Sequence, residues 1–361
     1  MIINSKGEVQ GTIPDTVCFD DVLLQPGYSE IKSRSEVSVA NQMGDFTLEL
    51  PLISSPMDTV TESDMASAMF LCGGLGVIHR YNTIDEQQIQ IEAAWELMAN
   101  EFVGEVDEFE PLIGAAIGVS GDYLERARAC VASGAKVLCV DVAHGHHVLV
   151  KKALKTLKKQ FGNQSVHIMA GNVATLEGFN DLADWGADSV RVGVGGGSIC
   201  STRIQTGHGV PTLQSVMDCA KSDRDALLVA DGGFKTSGDI VKALAAGADF
   251  VMLGSLLAGT NEAPGDIFEN INGEKYKAYR GMASKEAQMD WRGSTSSLEG
   301  VATTIPYKGG VYFILGELER GIRSGLSYTG AKNLTELGNK ASFIRQTSAG
   351  QVESSTHILR R

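Results

Sequence analysis

The sequence predicts a (β/α)8 barrel, and three observations carry that prediction. Eight short apolar, β-branched runs recur along the chain, helix-like amphipathic segments separate them, and polar or glycine residues gather at the C-terminal end of most runs. Continuous apolar strands alternating with helices describe a parallel sheet covered on its outside. Eight such units in roughly 200–250 residues suit closure into a barrel. An open doubly-wound sheet is the alternative that the same alternation permits.

In chain order the strands read PLISSPM (51–57), GLGVIH (74–79), IGAAIG (113–118), KVLCVDV (136–142), HIMAGNV (167–173), SVRVGV (189–194), LLVADGG (227–233) and FVMLGS (250–255). Between them lie segments such as GDYLERARACVASGA and SGDIVKALAAGAD. The second places Ile240, Val241, Leu244 and Ala245 on one face, the spacing of a helix packed on a sheet. Residues 80–111 hold one acidic helical segment, IDEQQIQIEAAWELMANEF, and leave no room for a folded insert. Residues 256–310 are long for a connection, polar, and rich in Gly and Ser at their centre, the composition of a lid or a disordered loop. The chain is read as one catalytic domain, 1–361, with a flap or finger-like insertion over about 268–310.

The polar residues at the strand ends are Ser54, Ser55 and Asp58, then His79 and Arg80, Asp141 and His144, Asn172, the glycines from 193, Asp231, Gly232 and Gly233, and finally Gly254 and Ser255. Taken singly, each is an ordinary strand-to-helix turn. Together they mark the face on which barrels build active sites, and the loops after strands seven and eight commonly cradle a phosphate.

Composition narrows the ligand. The formal net charge of −13 disfavours a broad nucleic-acid surface, so an anionic ligand must be held locally, by backbone N–H groups or a few selected cations. Apolar content of 43% and charged content of 21% are ordinary for a globular chain. No apolar run reaches the ~18 residues of a membrane span, and the N-terminus shows no basic-then-apolar secretory pattern. The six cysteines are scattered without CxxC spacing, which suggests neither a disulfide framework nor a zinc cluster and favours a reducing cytoplasm.

One thiol stands apart. In GVGGGSICSTR (193–203), Cys200 follows Gly193, Gly195, Gly196 and Gly197 and precedes Arg203 by three residues. A thiol attacks only as thiolate and needs exposure and positive potential, which inward N–H groups and an arginine can supply. Cys139 lies within a strand, Cys72, Cys130 and Cys219 sit in helix-like apolar contexts, and Cys18 belongs to no cluster.

The same loop resembles the catalytic loop of the inosine monophosphate dehydrogenase and guanosine monophosphate reductase family. So do FDDVLLQPGYS, SSPMDTVTES, GGLGVIHRYN, DVAHGH, MAGNVAT, ADGGFKTSGDIVKALAAGADFVMLGSLLAGTNEAPG and YRGMAS, from about residue 13 to the C-terminus. The resemblance implies a barrel, usually a homotetramer, that uses a nicotinamide cofactor, NAD or NADP, on a purine mononucleotide. By position, Cys200 would attack C2 of the purine, leaving a covalent thioimidate after hydride departs. Ser198, Gly233, Gly254, Ser255 and Tyr279 would hold the 5′-phosphate, Asp231 the ribose, and Ser55, Gly281, Met282 and Glu299 would complete the nucleotide site. Asp141, Arg191 and Gly193 would meet the dinucleotide. Carbonyls of Gly195, Gly197 and Cys200 would bind potassium, assisted by the terminal segment with Glu353, Ser354 and Ser355.

The branches differ in what resolves the intermediate: water gives xanthosine monophosphate, whereas the reductase releases ammonia from GMP. Most motifs resemble the dehydrogenase. The dehydrogenase flap normally carries an Arg-Tyr pair whose Arg activates water, yet here it reads KEAQMDWRGSTSSL, with Arg292 after a tryptophan as the substitute. The tandem CBS regulatory domains are absent, as in the reductases and some dehydrogenases. Thr202 and Glu299 match the Thr–Glu proton-transfer pair of both branches. GGGS replaces the usual Gly-Pro-Gly-Ser, which should loosen the loop. His208 departs from both branches. Two further classes stay open: a metallohydrolase using His144, His146 and His147, and a non-catalytic nucleotide-binding relative.

Overall fold

A computed structural model of the chain describes residues 2–3, 9–11, 13–101, 110–354 and 356. Eight strands close a parallel barrel: β1 (Leu52–Ser54), β2 (Leu75–Ile78), β3 (Ile113–Ile117), β4 (Val137–Asp141), β5 (His167–Val173), β6 (Ser189–Val192), β7 (Leu227–Asp231) and β8 (Phe250–Leu253). The last strand returns to the first, with Val251 opposite Leu52, so the open-sheet alternative is excluded. All eight sequence runs became strands. Most stop one to three residues short of the predicted C-terminal end, where the polar and glycine residues turn into the loops.

Strand periodicity sorts the core into two layers. Ile53, Val77, Ala116, Val137, Cys139, Met169, Val229, Phe250 and Met252 point into the barrel, while their neighbours Leu52, Ile78, Ala115, Leu138, Ile168, Leu228 and Val251 pack under the helices. The helices include α1 (Ser63–Leu71), α2 (Ile84–Glu101), α3 (Tyr123–Ala132), α4 (Val148–Phe161), α5 (Leu176–Asp184), α6 (Thr202–Thr206), α7 (Thr212–Cys219) and α8 (Ser237–Ala245). In α8, Ile240, Val241, Leu244 and Ala245 are buried as their spacing predicts, and Thr236 with Asp239 forms a capping box at its start. The N-terminal end of the barrel is plugged by a hairpin, Asn41–Met43 with Phe46–Leu48, whose Met43 and Leu48 join the inner layer.

The stretch after β8 is more ordered than its composition suggests. Strands β9 (Phe268–Glu269), β10 (Lys275–Arg280) and β11 (Ala302–Pro306) form an antiparallel sheet, and helix α9 (Lys285–Arg292) sits between β10 and β11. Buried Lys277 of β10 explains part of this order: its ammonium donates to the carbonyls of Thr260 (3.1 Å) and Ala263, fastening the sheet to the chain leaving the barrel. The following helix, α10 (Val311–Thr329), packs on α8 and completes the outer ring. Among the described residues no helix is long and apolar enough to cross a membrane.

Candidate active site

The inward face of the strands continues upward from the apolar layer into a polar one. Period two puts Asp141 above Cys139, Asp231 above Val229, and Arg191 above Ser189. Closure of the barrel brings these three together. Arg191, almost fully buried, donates to Asp141 Oδ1 at 2.7 Å and to Asp231 Oδ2 at 2.8 Å. Burial works against this cation, but neighbouring Cys139, Asp231 and Asp141 outweigh it, so the guanidinium is held charged even more firmly than an ordinary arginine. Asn172 at the end of β5 donates to the same Asp231 oxygen (2.7 Å) and to the Gly193 carbonyl (2.9 Å). Arg80 closes the far side by donating to the Asp141 carbonyl at 3.1 Å, with its guanidinium against both Tyr81 and Trp291, whose rings meet edge to face.

Above this layer lies a cavity of about 280 Å3. Its lining includes Ser55, Asp141, Arg191, Gly193, Gly195, Gly197, Ser198, Cys200, Thr202, Asp231, Gly233, Gly254, Ser255, Tyr279, Gly281, Met282 and Glu299, so most sequence-assigned site residues converge there. Cys200 is half-buried, and its thiol is hydrogen-bonded to Thr202 Oγ1 at 3.2 Å. Of the other thiols, Cys18 and Cys72 are likewise half-buried, and Cys130, Cys139 and Cys219 are buried. Burial pushes Cys72 and Cys139 up to about 11 and Cys130 and Cys219 up to about 12, and it raises Cys18 as well.

The loop that carries Cys200 is held as an extra β-pairing. Ser201 N–H donates to Glu299 O, Val301 N–H donates to Ile199 O, and Cys200 faces Gly300 across an antiparallel bridge. This pairing sets Glu299 beside the sulfur loop, where its carboxylate accepts from Ser297 Oγ at 2.9 Å. The glycines are there for space. A Cβ on Gly193 would stand 2.0 Å from the Asp231 carbonyl, and one on Gly196 would stand 2.2 Å from Thr212 Oγ1. Gly196 therefore does more than relax the loop: the first turn of α7 leaves no room for a side chain.

At the Gly254 end of the cavity, buried Tyr279 has its hydroxyl 3.4 Å from Ser198 Oγ, and burial raises its phenol pKa. Beside it Gly254 opens a turn in which its own carbonyl accepts from the N–H groups of Leu257 and Ala258. That hydrogen bonding leaves the first N–H groups of the turn without partners inside it, the arrangement that binds anions.

Four sequence expectations need correction. Arg292 is exposed, does not line the cavity, and rests 4.5 Å from the Trp291 ring, because α9 ends at Gly293 and turns the guanidinium outward. Arg203 also lies outside the cavity; it donates to the Val210 carbonyl at 2.8 Å and packs on Gly195 and Gly209, bracing the loop instead of facing the thiol. Glu353 and Ser354 are not brought to Gly195, Gly197 and Cys200, since the terminal helix Ser348–Glu353 packs near Asp20 and Ser354 lines a separate groove with Lys235 and Lys242; Ser355 lies outside the described residues. The Gly197 carbonyl already accepts from Cys200 N–H. The potassium set is thus not assembled within one chain. Finally, two of the three histidines are engaged elsewhere: His146 pairs with Asp181 at 2.8 Å, and His147 caps α4. Among the described residues no three His, Cys, Asp or Glu side chains gather as metal ligands.

Sequence reasoning left Asn172 and Arg80 out of the site although both stood among the strand-end polar residues. Thr212, which shapes the loop from beneath, carried no local signal at all.

Comparison with known proteins agrees with this geometry. The IMP dehydrogenase / GMP reductase domain matches residues 16–357. The chain is 36% identical to an inosine-5′-monophosphate dehydrogenase of Nitrosopumilus maritimus, covering 94% of this chain and 97% of that protein. That alignment spans 466 positions against the 361 residues here, so the relative holds residues without a counterpart in this chain. A GMP reductase of Leishmania major is 32% identical over 96% of this chain and 97% of its own. A crystal structure of a cysteine-to-alanine variant of GMP reductase from Trypanosoma brucei, in complex with guanosine 5′-monophosphate, superposes with a TM-score of 0.89 at 32% identity, covering 96% of this chain and 98% of that one. With a half-buried thiol, a glycine turn and a buried Asp–Arg–Asp array lining one cavity, this chain belongs to the IMP dehydrogenase / GMP reductase family of nicotinamide-dependent oxidoreductases.

Proposed function

We propose that the chain oxidises IMP to XMP with NAD+ and water, through a covalent bond from Cys200 to C2 of the purine. The observation that carries this reading is that the hydrogen-bonded Cys200–Thr202 pair, the Gly254 turn and the Asp141–Arg191–Asp231 array line one cavity. The turn at Gly254 and Ser255, with Ser198, Gly233 and Tyr279, suits a 5′-phosphate; Asp231, whose Oδ2 is already occupied by Arg191 and Asn172, offers its other oxygen to ribose hydroxyls. Ser55, Gly281 and Met282 line the remainder of the nucleotide half. Asp141, Arg191 and Gly193 suit the dinucleotide, and the buried Arg191 Nε, which lacks a partner, is a donor free for it. When bound, the nicotinamide accepts the hydride from C2.

The chain's own residues then move protons. Thr202 Oγ1 takes the thiol proton as sulfur bonds to C2, with Glu299 as the carboxylate that receives it onward. Once Glu299 has released that first proton to solvent, water adds to the thioimidate carbon and gives up a proton to the same pair, and the Cys200–C2 bond breaks, the leaving thiolate taking that proton back as the 2-oxo purine is released. Proton transfer of this kind contributes ~10²–10⁴-fold.

A second reading is favoured by the outward Arg292: with Thr202 and Glu299 as the acid–base residues at the sulfur, the site equally suits protonating ammonia as it leaves GMP. That reaction is GMP plus NADPH to IMP, ammonia and NADP+. Purified protein with IMP and NAD+, and separately with GMP and NADPH, each with and without potassium, tests both readings at the nicotinamide absorbance. Turnover in neither pair, with nucleotide still binding, would leave a non-catalytic relative. A homotetramer is proposed alongside, to be read by light scattering.

A further inference from the structure

The phosphate end of the cavity poses an electrostatic problem. Among the described lining residues the cations are Arg80, bonded to Asp141, and Arg191, bonded to Asp141 and Asp231. In a chain of net charge −13, no lysine or arginine among those lining residues faces the turn assigned to the phosphate.

A cation stands behind that turn instead. The Gly254 carbonyl closes one short helical turn, which ends at Gly259 with φ +83°, so the carbonyls of Ser255 and Leu256 have no continuing helix to bond. Lys308 Nζ donates to both, at 2.5 Å and 3.2 Å. Its backbone is zipped to the same segment: Lys308 N–H donates to Gly259 O, and Asn261 N–H donates to Gly309 O, each at 2.9 Å. Lys308 is exposed as a whole residue, yet burial of its ammonium draws the pKa down to about 8.

We infer that Lys308 is a positioning residue of the phosphate turn, holding its carbonyls outward so that its N–H groups face the nucleotide. The 256–310 stretch thereby grips the turn from two sides. The Tyr279 hydroxyl lies 3.3 Å from the Cβ position of Gly254 on the cavity side, and Lys308 holds the carbonyl side. The ammonium also holds the negative end of the Ser255–Leu256 peptide, whose positive end is the Leu256 N–H, one of those left without a partner inside the turn, while the Leu257 N–H is used by the Gly254 carbonyl; the positive charge behind the turn thus supplies the potential that no lining side chain supplies.

The inference rests on the phosphate assignment made above, and its test reads binding, not turnover. Isothermal titration with IMP, GMP and inosine, which lacks the phosphate, is compared for the wild type, Lys308→Arg, Lys308→Gln and Lys308→Met. Lys308→Met should weaken IMP and GMP ~10- to 100-fold, the range of a hydrogen bond involving a charged group. Inosine should be unaffected and Lys308→Arg should bind within about threefold of wild type on the same scale. Lys308→Gln keeps a donor for the carbonyls but not the charge; a loss for IMP without a loss for inosine is expected there even where Lys308→Met does not fold. IMP affinity unchanged in both neutral variants, or inosine weakened as much as IMP, overturns the role of Lys308. A wild type that binds neither nucleotide overturns the site assignment itself.

Discussion

Gly196→Ala is the sharpest probe of how the sulfur is held. The added methyl would lie 2.2 Å from Thr212 Oγ1, far inside contact distance, and Thr212 is a buried side chain in the first turn of α7. Something must shift. Overpacking of this kind costs ~1–3 kcal/mol, and a loop displaced by about 1 Å at a reacting centre costs on the order of 10²-fold in rate. Thr212 Oγ1 has no hydrogen-bond partner, so Thr212→Ala gives up no bond and vacates the space the methyl needs. The double variant Gly196→Ala/Thr212→Ala should therefore recover most of what the single variant loses, with a coupling of ~1–3 kcal/mol between neighbours. The assay is a double-mutant cycle in kcat, in whichever direction the wild type turns over, alongside the rate of Cys200 alkylation by iodoacetamide. A fully active Gly196→Ala enzyme, or a double variant as poor as the single one, would refute the steric argument.

Cys200→Ser should abolish hydride transfer and leave nucleotide binding intact; a trapped purine adduct seen by mass spectrometry of wild type and missing from the variant checks this. Arg191→Met strands Asp141 and Asp231 facing one another without their shared cation, so unfolding by urea should show a loss of about 3–5 kcal/mol. His167, bonded to Ser189 at the closed end of the barrel, is drawn down to about 4 by burial. The unfolded chain takes up that proton near the ordinary histidine value while the folded ring stays neutral, so stability present above about pH 6.5 is lost as pH falls toward 4. His167→Gln should flatten that acid limb of the melting temperature, and an unchanged limb would count against it.

The strands, the helix faces and the polar strand ends were legible in the sequence because each is a local pattern: period two, 3/4 spacing, and the turn chemistry of glycine. The sulfur loop was legible too, since a glycine run beside a lone thiol is contiguous. What tertiary structure alone decided is direction and distance. Arg203 and Arg292 looked poised for the chemistry by proximity along the chain, yet one braces Gly195 and the other lies outward on Trp291. Arg191 acquired its role only when closure set β4 and β7 on opposite sides of its tip. Thr212 and Lys308 touch the Cys200 loop and the Gly254 turn across gaps of 16 and 53 residues, which no periodicity spans. Backbone pattern is fixed by neighbours in sequence, whereas the end of a long side chain is fixed by whatever partner the closed barrel places within its reach.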